Sequence, residues 1–382
     1  MFGPLSRRSR PLLLALLLAL LGLCAAPLSS ARAAELAISF LNIGQGDSAL
    51  IVSPTGKRVL IDGGPPEAGE RLVAALAAHR VTGLDLVILT HPHADHLGGL
   101  KKVAAAVPIR VFLDSGYPST SPLYAGLLSV LAGRGVEVKR ATAGRQIDLG
   151  SRALLTLLGP PSPWLTNTRS DVNANSVLAR LTWQGRSALF TGDAEPETER
   201  WLLGQSTAAG ATRTATAMPL RAELLKVAHH GGRFSSTMPF LQAVAPQIAV
   251  ISVGTGNDYG HPTPEALSRL GQVGARVLRT YLDGEVTVRS RDGQPWQIDK
   301  AGSGPAKSAA APPAAGRPSA PPLASPGPPA AGIDYVASKL SPVFHRSDCK
   351  GAQRITPANL LHFATREAAL ASGRRPAEDC HP

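Results

Sequence analysis

The stretch Leu89-Thr-His-Pro-His-Ala-Asp-His-Leu-Gly-Gly99 gathers three histidines and an aspartate into six residues, in a chain with ten histidines among 382 residues. A tight turn with the spacing His91-x-His93-x-Asp95-His96 directs His91 and His93 at one ion, and Asp95 and His96 at a second beside it. Cysteine is absent between residues 34 and 300, so the ligands there are nitrogen and oxygen. That set suits zinc, with manganese or iron as alternatives. Two cations need a bridging anion, and Asp193 in Phe190-Thr-Gly-Asp is the candidate. In His229-His230, adjacent residues at a strand end point to opposite sides. His230 is therefore assigned to metal, and His229 to substrate contact or proton donation. Asp95 counts among both the ligands and the catalytic groups. Asp62 can steady a ligand histidine from behind. Any one of these fragments alone reads as an ordinary turn or cap; their combination carries the argument.

These residues share a position in the chain, because each follows the end of a short apolar run. Val59-Leu-Ile61 stops at Asp62, Leu86-Val-Ile-Leu89 at Thr90-His91, and Ala188-Leu-Phe190 at Thr191-Gly-Asp193. Leu224–Ala228 stops at His229, and Ile248–Val253 runs into a Gly/Asn loop ending at His261-Pro262. Helical segments lie between them, at Glu70–Ala78, Leu97–Ala106, Pro196–Leu203 and about Thr237–Ala245. Pro196 suits a first helical turn, and Glu197 and Glu199 lie near its positive end. Such alternation predicts α/β layers with sheets covered by helices. Ligands in such folds collect at strand ends.

The flanks differ in kind. Arg7, Arg8 and Arg10 precede an apolar run from Pro11 to about Pro27, and Ala31-Arg-Ala33 gives a small-x-small cleavage pattern. Residues 1–33 read as an export signal, placing the mature chain in the periplasm or outside the cell. Arg7-Arg8 is a poor twin-arginine fit because of Pro11. Leu21-Gly-Leu-Cys24 is a poor lipoprotein box because of Leu23, so anchoring through Cys24 ranks below plain export. Removing residues 1–33 takes four arginines and no acid, so the charge falls from +12 to +8. The rest is mildly basic and does not by itself indicate nucleic acid. No membrane span is expected after cleavage. Residues 301–332, almost entirely Ala, Pro, Gly and Ser, read as an extended linker. The expected division is a main domain over 34–300 and a small α+β module over 333–382.

Taken together, Thr90-His91-x-His93-x-Asp95-His96, Asp62-Gly-Gly, Thr191-Gly-Asp193 and His229-His230-Gly resemble the metallo-β-lactamase superfamily. Ile43-Gly-Gln-Gly-Asp47, Asn173-x-Asn175-Ser176, Phe190–Glu195, Lys226–Gly232 and Tyr259-Gly-His-Pro262 look like the hydrolase domain of ComEC-type DNA-uptake proteins. Phosphorylcholine esterases share that branch. The resemblance implies an αββα four-layer sandwich with two divalent ions, zinc or manganese, at one edge. It also implies hydrolysis by a metal-bridging hydroxide, most useful on a phosphodiester such as nucleic acid or a cell-surface polymer. Asp47, Asp62 and Asn175 would stand behind the ligands, and Glu195 and His261 would touch substrate or leaving group. The departure is a missing histidine: none occurs between His96 and His229. Asp171 or Asn175 is a stand-in. The absence weighs against β-lactam hydrolysis. Alternatives to a nuclease are a small-phosphoester esterase and a non-catalytic competence accessory protein.

At the C-terminus, His345-x3-Cys349 and Cys380-His381 look like the small zinc module of Ada-type repair proteins, with Ala377 where one ligand belongs. His381 or His362 would have to replace it to hold a structural zinc. A Cys349–Cys380 disulfide is the equal alternative. Thr365, Glu367 and Gly373 mark a short helix, and the module's expected role is to hold polymer or surface material.

Overall fold

The computed structural model describes residues 33–207, 220–300 and parts of 335–377. The export segment with Cys24, the Ala/Pro-rich segment, Cys380 and His381 lie outside the described residues. The chain forms two compact units, 1–309 and 310–382.

In chain order the strands of the first unit are β1 (Glu35–Phe40), β2 (Ala49–Val52), β3 (Arg58–Ile61), β4 (Leu86–Leu89), β5 (Val111–Asp114), β6 (Glu137–Arg140), β7 (Gln146–Asp148), β8 (Leu154–Leu157), β9 (Ala179–Trp183), β10 (Arg186–Phe190), β11 (Leu224–Lys226), β12 (Ile248–Ile251), β13 (Arg276–Arg279), β14 (Val286–Arg291) and β15 (Gln297–Lys300). The helices are α1 (Gly69–Ala78), α2 (Ala94–Leu97), α3 (Leu100–Ala106), α4 (Pro122–Gly133), α5 (Asp171–Ala174), α6 (Pro196–Thr207), α7 (Met238–Val244), α8 (Pro264–Gln272) and α9 (Thr280–Asp283). Among the described residues one sheet runs β15-β14-β1-β2-β3-β4-β5-β6 and the other β13-β12-β11-β10-β9-β8-β7.

Burial explains the layers. Phe40, Ile51, Leu155, Trp183 and Phe190 fill the space between the sheets. Leu72, Leu76, Leu100 and Leu131 close one outer face, and Leu202, Phe240 and Leu270 the other. Each such side chain contributes about 1.5–3 kcal/mol by leaving water. The result is an αββα sandwich. β4 reads Leu-Val-Ile-Leu and is buried throughout, as a parallel strand covered on both faces must be.

Strands β3 to β6 are parallel, as are β10 to β13. Parallel neighbours put their carboxyl ends on one edge. Facing sheets then bring Asp62, His91, Asp193 and His230 together despite their separation in sequence. The helix expected over Leu97–Ala106 is divided into α2, which starts at Ala94 and ends at Leu97, and α3 from Leu100, so Asp95 and His96 stand in the single turn of α2 with His93 as its extended N-cap. Close packing permits this. A Cβ on Gly99 would come 2.2 Å from the Gly63 carbonyl oxygen, and one on Gly98 2.3 Å from Pro66 N.

The second unit has strands β16 (Tyr335–Ser338), β17 (Val343–Arg346), β18 (Leu360–Phe363) and β19 (Arg375–Pro376), in the order β18-β16-β17-β19. Helix α10 (Arg366–Ala371) occupies the stretch expected to be helical. Val336, Ala337, Phe344 and Ala369 are buried there. Cys349 is disulfide-bonded, whereas a zinc ion would need its thiolate. His345 Nδ1 lies 3.9 Å from the Cys349 sulfur, and His362 is exposed on β18.

Candidate metal centre

Asp62 follows β3 at a positive φ of 59°. Its carboxylate accepts from the Thr90 amide and hydroxyl, both at 2.7 Å, and from His96 Nδ1 at 2.9 Å. That fixes the tautomer, so His96 Nε2 carries the lone pair and points inward. It lies 3.3 Å from Asp193 Oδ1 and 3.8 Å from Asp95 Oδ2. His230 is set the same way. Nδ1 donates to the Ser252 carbonyl at 2.9 Å, and Nε2 faces Asp95 Oδ2 at 3.0 Å and Asp193 Oδ2 at 3.7 Å.

A second group of nitrogens meets Asp193 at Oδ2, the oxygen that His230 also faces. His91 Nε2 and His93 Nδ1 face one another at 3.1 Å. His91 Nε2 is 3.9 Å and His229 Nε2 3.8 Å from Asp193 Oδ2. His229, expected at substrate contact or proton donation, thus also faces Asp193.

Electrostatics separates the two groups. Burial disfavours the charged imidazole of His96, but Asp193, Asp95 and Asp62 outweigh it and hold the group well above the usual histidine range. For His230 burial is likewise overcome, by Asp193 and Asp47, and the pKa rises to about 10. Burial with His96 pushes His91 well below its usual range, and burial lowers His93 too. Burial alone would raise the carboxyls of Asp193 and Asp95. The neighbouring histidines, His96 foremost, instead hold both below their ordinary values.

The residues fit divalent cations. His96 Nε2 and Asp193 Oδ1 are buried without a hydrogen-bond partner among the described residues, a condition costing about 1–3 kcal/mol per group. A cation between them removes that cost. Asp47, His96, Asp193 and His230 each offer a ligand atom, all within 4.8 Å of one another. Asp47, expected behind the ligands, therefore reaches into the cluster. It also pairs with buried Lys226, whose ammonium donates to the Gly192 carbonyl at 3.0 Å. Sequence reasoning assigned Lys226 no role. The available signal was a lysine in the otherwise apolar β11.

Other placements differ from the expectations. β11 ends at Lys226, so strand alternation does not separate the paired histidines. Both stand in the turn Ala228–Gly231, with φ of 50° and 52°. Side chains rarely adopt that region, and each such residue costs on the order of 1–3 kcal/mol. Glu195, expected on the substrate, is buried. It accepts from Arg169 Nε at 3.2 Å and Asn173 Nδ2 at 3.4 Å, and lies 3.4 Å from His229 Nδ1. Its effect is to orient His229. The Asn175 amide is used on Leu165 and on the Asp171 carbonyl, and the Asp171 carboxylate caps Asn167 and Thr168. Neither supplies the missing ligand. His261 precedes a cis proline, its ring 5.6 Å from that of His229. Burial, His229 and His230 lower it to about 4, leaving a neutral imidazole at neutral pH.

Sandwich and cluster together define a metallo-hydrolase fold. Residues 41–255 match the family model described as Metallo-beta-lactamase superfamily, and the chain belongs to that superfamily. Within it, the chain is similar to ComE operon protein 3 of Bacillus subtilis, 28% identical over 274 residues, covering 67% of this chain and 33% of that protein. It is also similar to competence protein ComA of Neisseria gonorrhoeae, 30% identical over 251 residues, covering 65% and 32%. The chain spans about a third of the length of these relatives. Among solved structures, the metallo-β-lactamase fold protein YhfI from Bacillus subtilis covers 69% of this chain and 99% of its own, at 12% identity and a TM-score of 0.42. Among the described residues no helix is long and apolar enough to cross a membrane.

Proposed function

We propose that this chain is an exported dimetal phosphodiesterase that cleaves nucleic-acid strands. One observation carries the reading: buried Asp193 faces histidines with both oxygens, Oδ1 toward His96 and Oδ2 toward His91, His229 and His230, so one carboxylate lies within reach of both histidine groups. Two divalent ions held by His91, His93, His229 and Asp193 on one side and by Asp95, His96, His230 and Asp193 on the other would bring water's pKa toward neutrality and neutralise a phosphoryl oxygen. Asp62 and the Ser252 carbonyl orient the two inner imidazoles, while Asp47 and Lys226 balance charge beneath them. Glu195 holds His229 toward the open side.

The rim supports a nucleic acid over a small ester. Tyr259 is 68% exposed and Phe234 49% exposed. Both loops are firmly held. Asn257 bonds Gly254, Tyr259 and His261. Glu199 accepts from the Ser236 and Thr237 amides, while Arg269 donates to the carbonyls of Arg233, Ser235 and Ser236. Exposed rings on fixed loops suit stacking by bases, with arginines for the backbone. The Arg169 guanidinium already covers Phe234 at 3.8 Å, an arrangement that repels a quaternary ammonium. A purely binding protein gives no reason for strained His229 and His230 beside such a cluster. Arg7, Arg8 and Arg10 before an apolar run support export.

The test is purified protein assayed on bis-p-nitrophenyl phosphate, single-stranded DNA, p-nitrophenyl phosphorylcholine and nitrocefin. Turnover of the first two is expected. Turnover of nitrocefin or the choline ester with both phosphodiesters intact sinks the proposal.

A further inference from the structure

Outside the metal centre, a cavity beside the turn joining β9 to β10 gathers positive charge with little to balance it. Arg152, Arg180 and Arg186, with Thr182 and Ser187, line an open cavity of about 290 Å³. Along β9, Ala179, Leu181 and Trp183 enter the core between the sheets. Arg180 and Thr182 therefore face outward. The Arg180 guanidinium is half-buried, and burial lowers its pKa with no carboxylate acting on it. Among the described residues its Nε and Nη2 donate to the Arg221 carbonyl alone, at 3.0 and 2.8 Å.

A neutral carbonyl does not compensate a partly desolvated charge. Glu223 is the acid nearby, and it is engaged by Arg186 at 2.9 Å. Arg186 Nε is buried without a hydrogen-bond partner among the described residues. Ser187 Oγ accepts from the Glu223 amide at 3.3 Å, which leaves its O–H to donate. Donors are thus in surplus, three arginines line the cavity, and the space is large enough for a small ion.

We propose that this cavity is an anion site of the phosphate class, separate from the metal centre. None of the residues lining the cavity belongs to the metal centre. Arg and phosphate pair through bidentate charge-assisted bonds, and the bound anion supplies the charge that Arg180 lacks. The inference is independent of the proposed phosphodiesterase activity.

The test is calorimetric titration of the full chain at fixed ionic strength with inorganic phosphate and, separately, with a short 5′-phosphorylated DNA single strand. The His230→Ala/Asp193→Ala chain serves as background, so that binding at the metal centre does not contribute. Inorganic phosphate is expected to bind this background. Arg180→Met should weaken it about tenfold or more, and so should Arg152→Met, whose exposed position leaves the fold alone. Saturation by free phosphate with no gain from the strand assigns the site to the free ion, and tighter strand binding lost in both variants assigns it to a polymer phosphate. Heats no larger than those for chloride, or binding unchanged in both arginine variants, overturn the proposal.

Discussion

The two sides of Asp193 are built unequally. On one, each imidazole is backed at its outer nitrogen by a strong acceptor: Asp62 behind His96 at 2.9 Å and the Ser252 carbonyl behind His230 at 2.9 Å. On the other, His91 has the Thr90 hydroxyl at 3.1 Å, His91 and His93 face each other, and a carboxylate stands only behind His229, Glu195 at 3.4 Å. The cluster carboxylates, Asp193 foremost, overcome burial and raise His96 and His230, whereas burial prevails and lowers His91 and His93. Backing by a carboxylate makes an imidazole a better ligand. The inner side should therefore keep its ion, and the outer side, nearer the open rim through His229, should exchange its own.

Removing His230 strikes the inner side hardest. His230→Ala is expected to lose one ion by elemental analysis and about a thousandfold in kcat. Retention of both ions would break the comparison. Asp62→Asn takes away the backing alone, and a 10–100-fold loss of metal affinity is expected. Thr90→Val, which spares the Thr90 amide bond to Asp62, should cost less than Asp62→Asn. The reverse order contradicts the inequality. After chelation, adding back zinc should fill the protein in two separated steps, and a single sharp step would make the sides equivalent. Glu195→Gln, which only loosens His229, should lower kcat about tenfold with metal content unchanged.

A pH measurement sharpens the same contrast in the metal-free protein. The pKa of His230 is raised from 6.5 to about 10, the carboxylates Asp193 and Asp47 overcoming burial. A raised value means that its stabilisation is complete below 6.5 and is lost as pH rises through about 10. The melting temperature of chelated protein should therefore fall more steeply between neutral pH and pH ~10 than that of His230→Gln. Parallel slopes would remove His230 from the account.

Much of this was legible before folding. The spacing from His91 to His96 and the apolar runs ending at Asp62, Asp193 and His229 are local signals, and α/β layering follows from them. What escaped depends on apposition of the two sheets. Lys226 meets Asp47 from the other sheet across 179 positions of sequence. Glu195 looked free for substrate because nothing local shows that Asn173, Arg169 and His229 enclose it. His229 and His230 were read as strand residues, whereas a left-handed turn sets their directions. The early start of α2 required knowing that Gly98 and Gly99 pack against Pro66 and Gly63.

The central claim is that one buried carboxylate joins two ions into a phosphodiesterase centre. The direct measurement is metal content, with bis-p-nitrophenyl phosphate hydrolysis, of wild type and Asp193→Ala purified side by side and shown by circular dichroism to be folded. Two ions and turnover are expected for wild type, against at most one ion and a rate near background for the variant. Equal metal content and equal rates in the two proteins would contradict it.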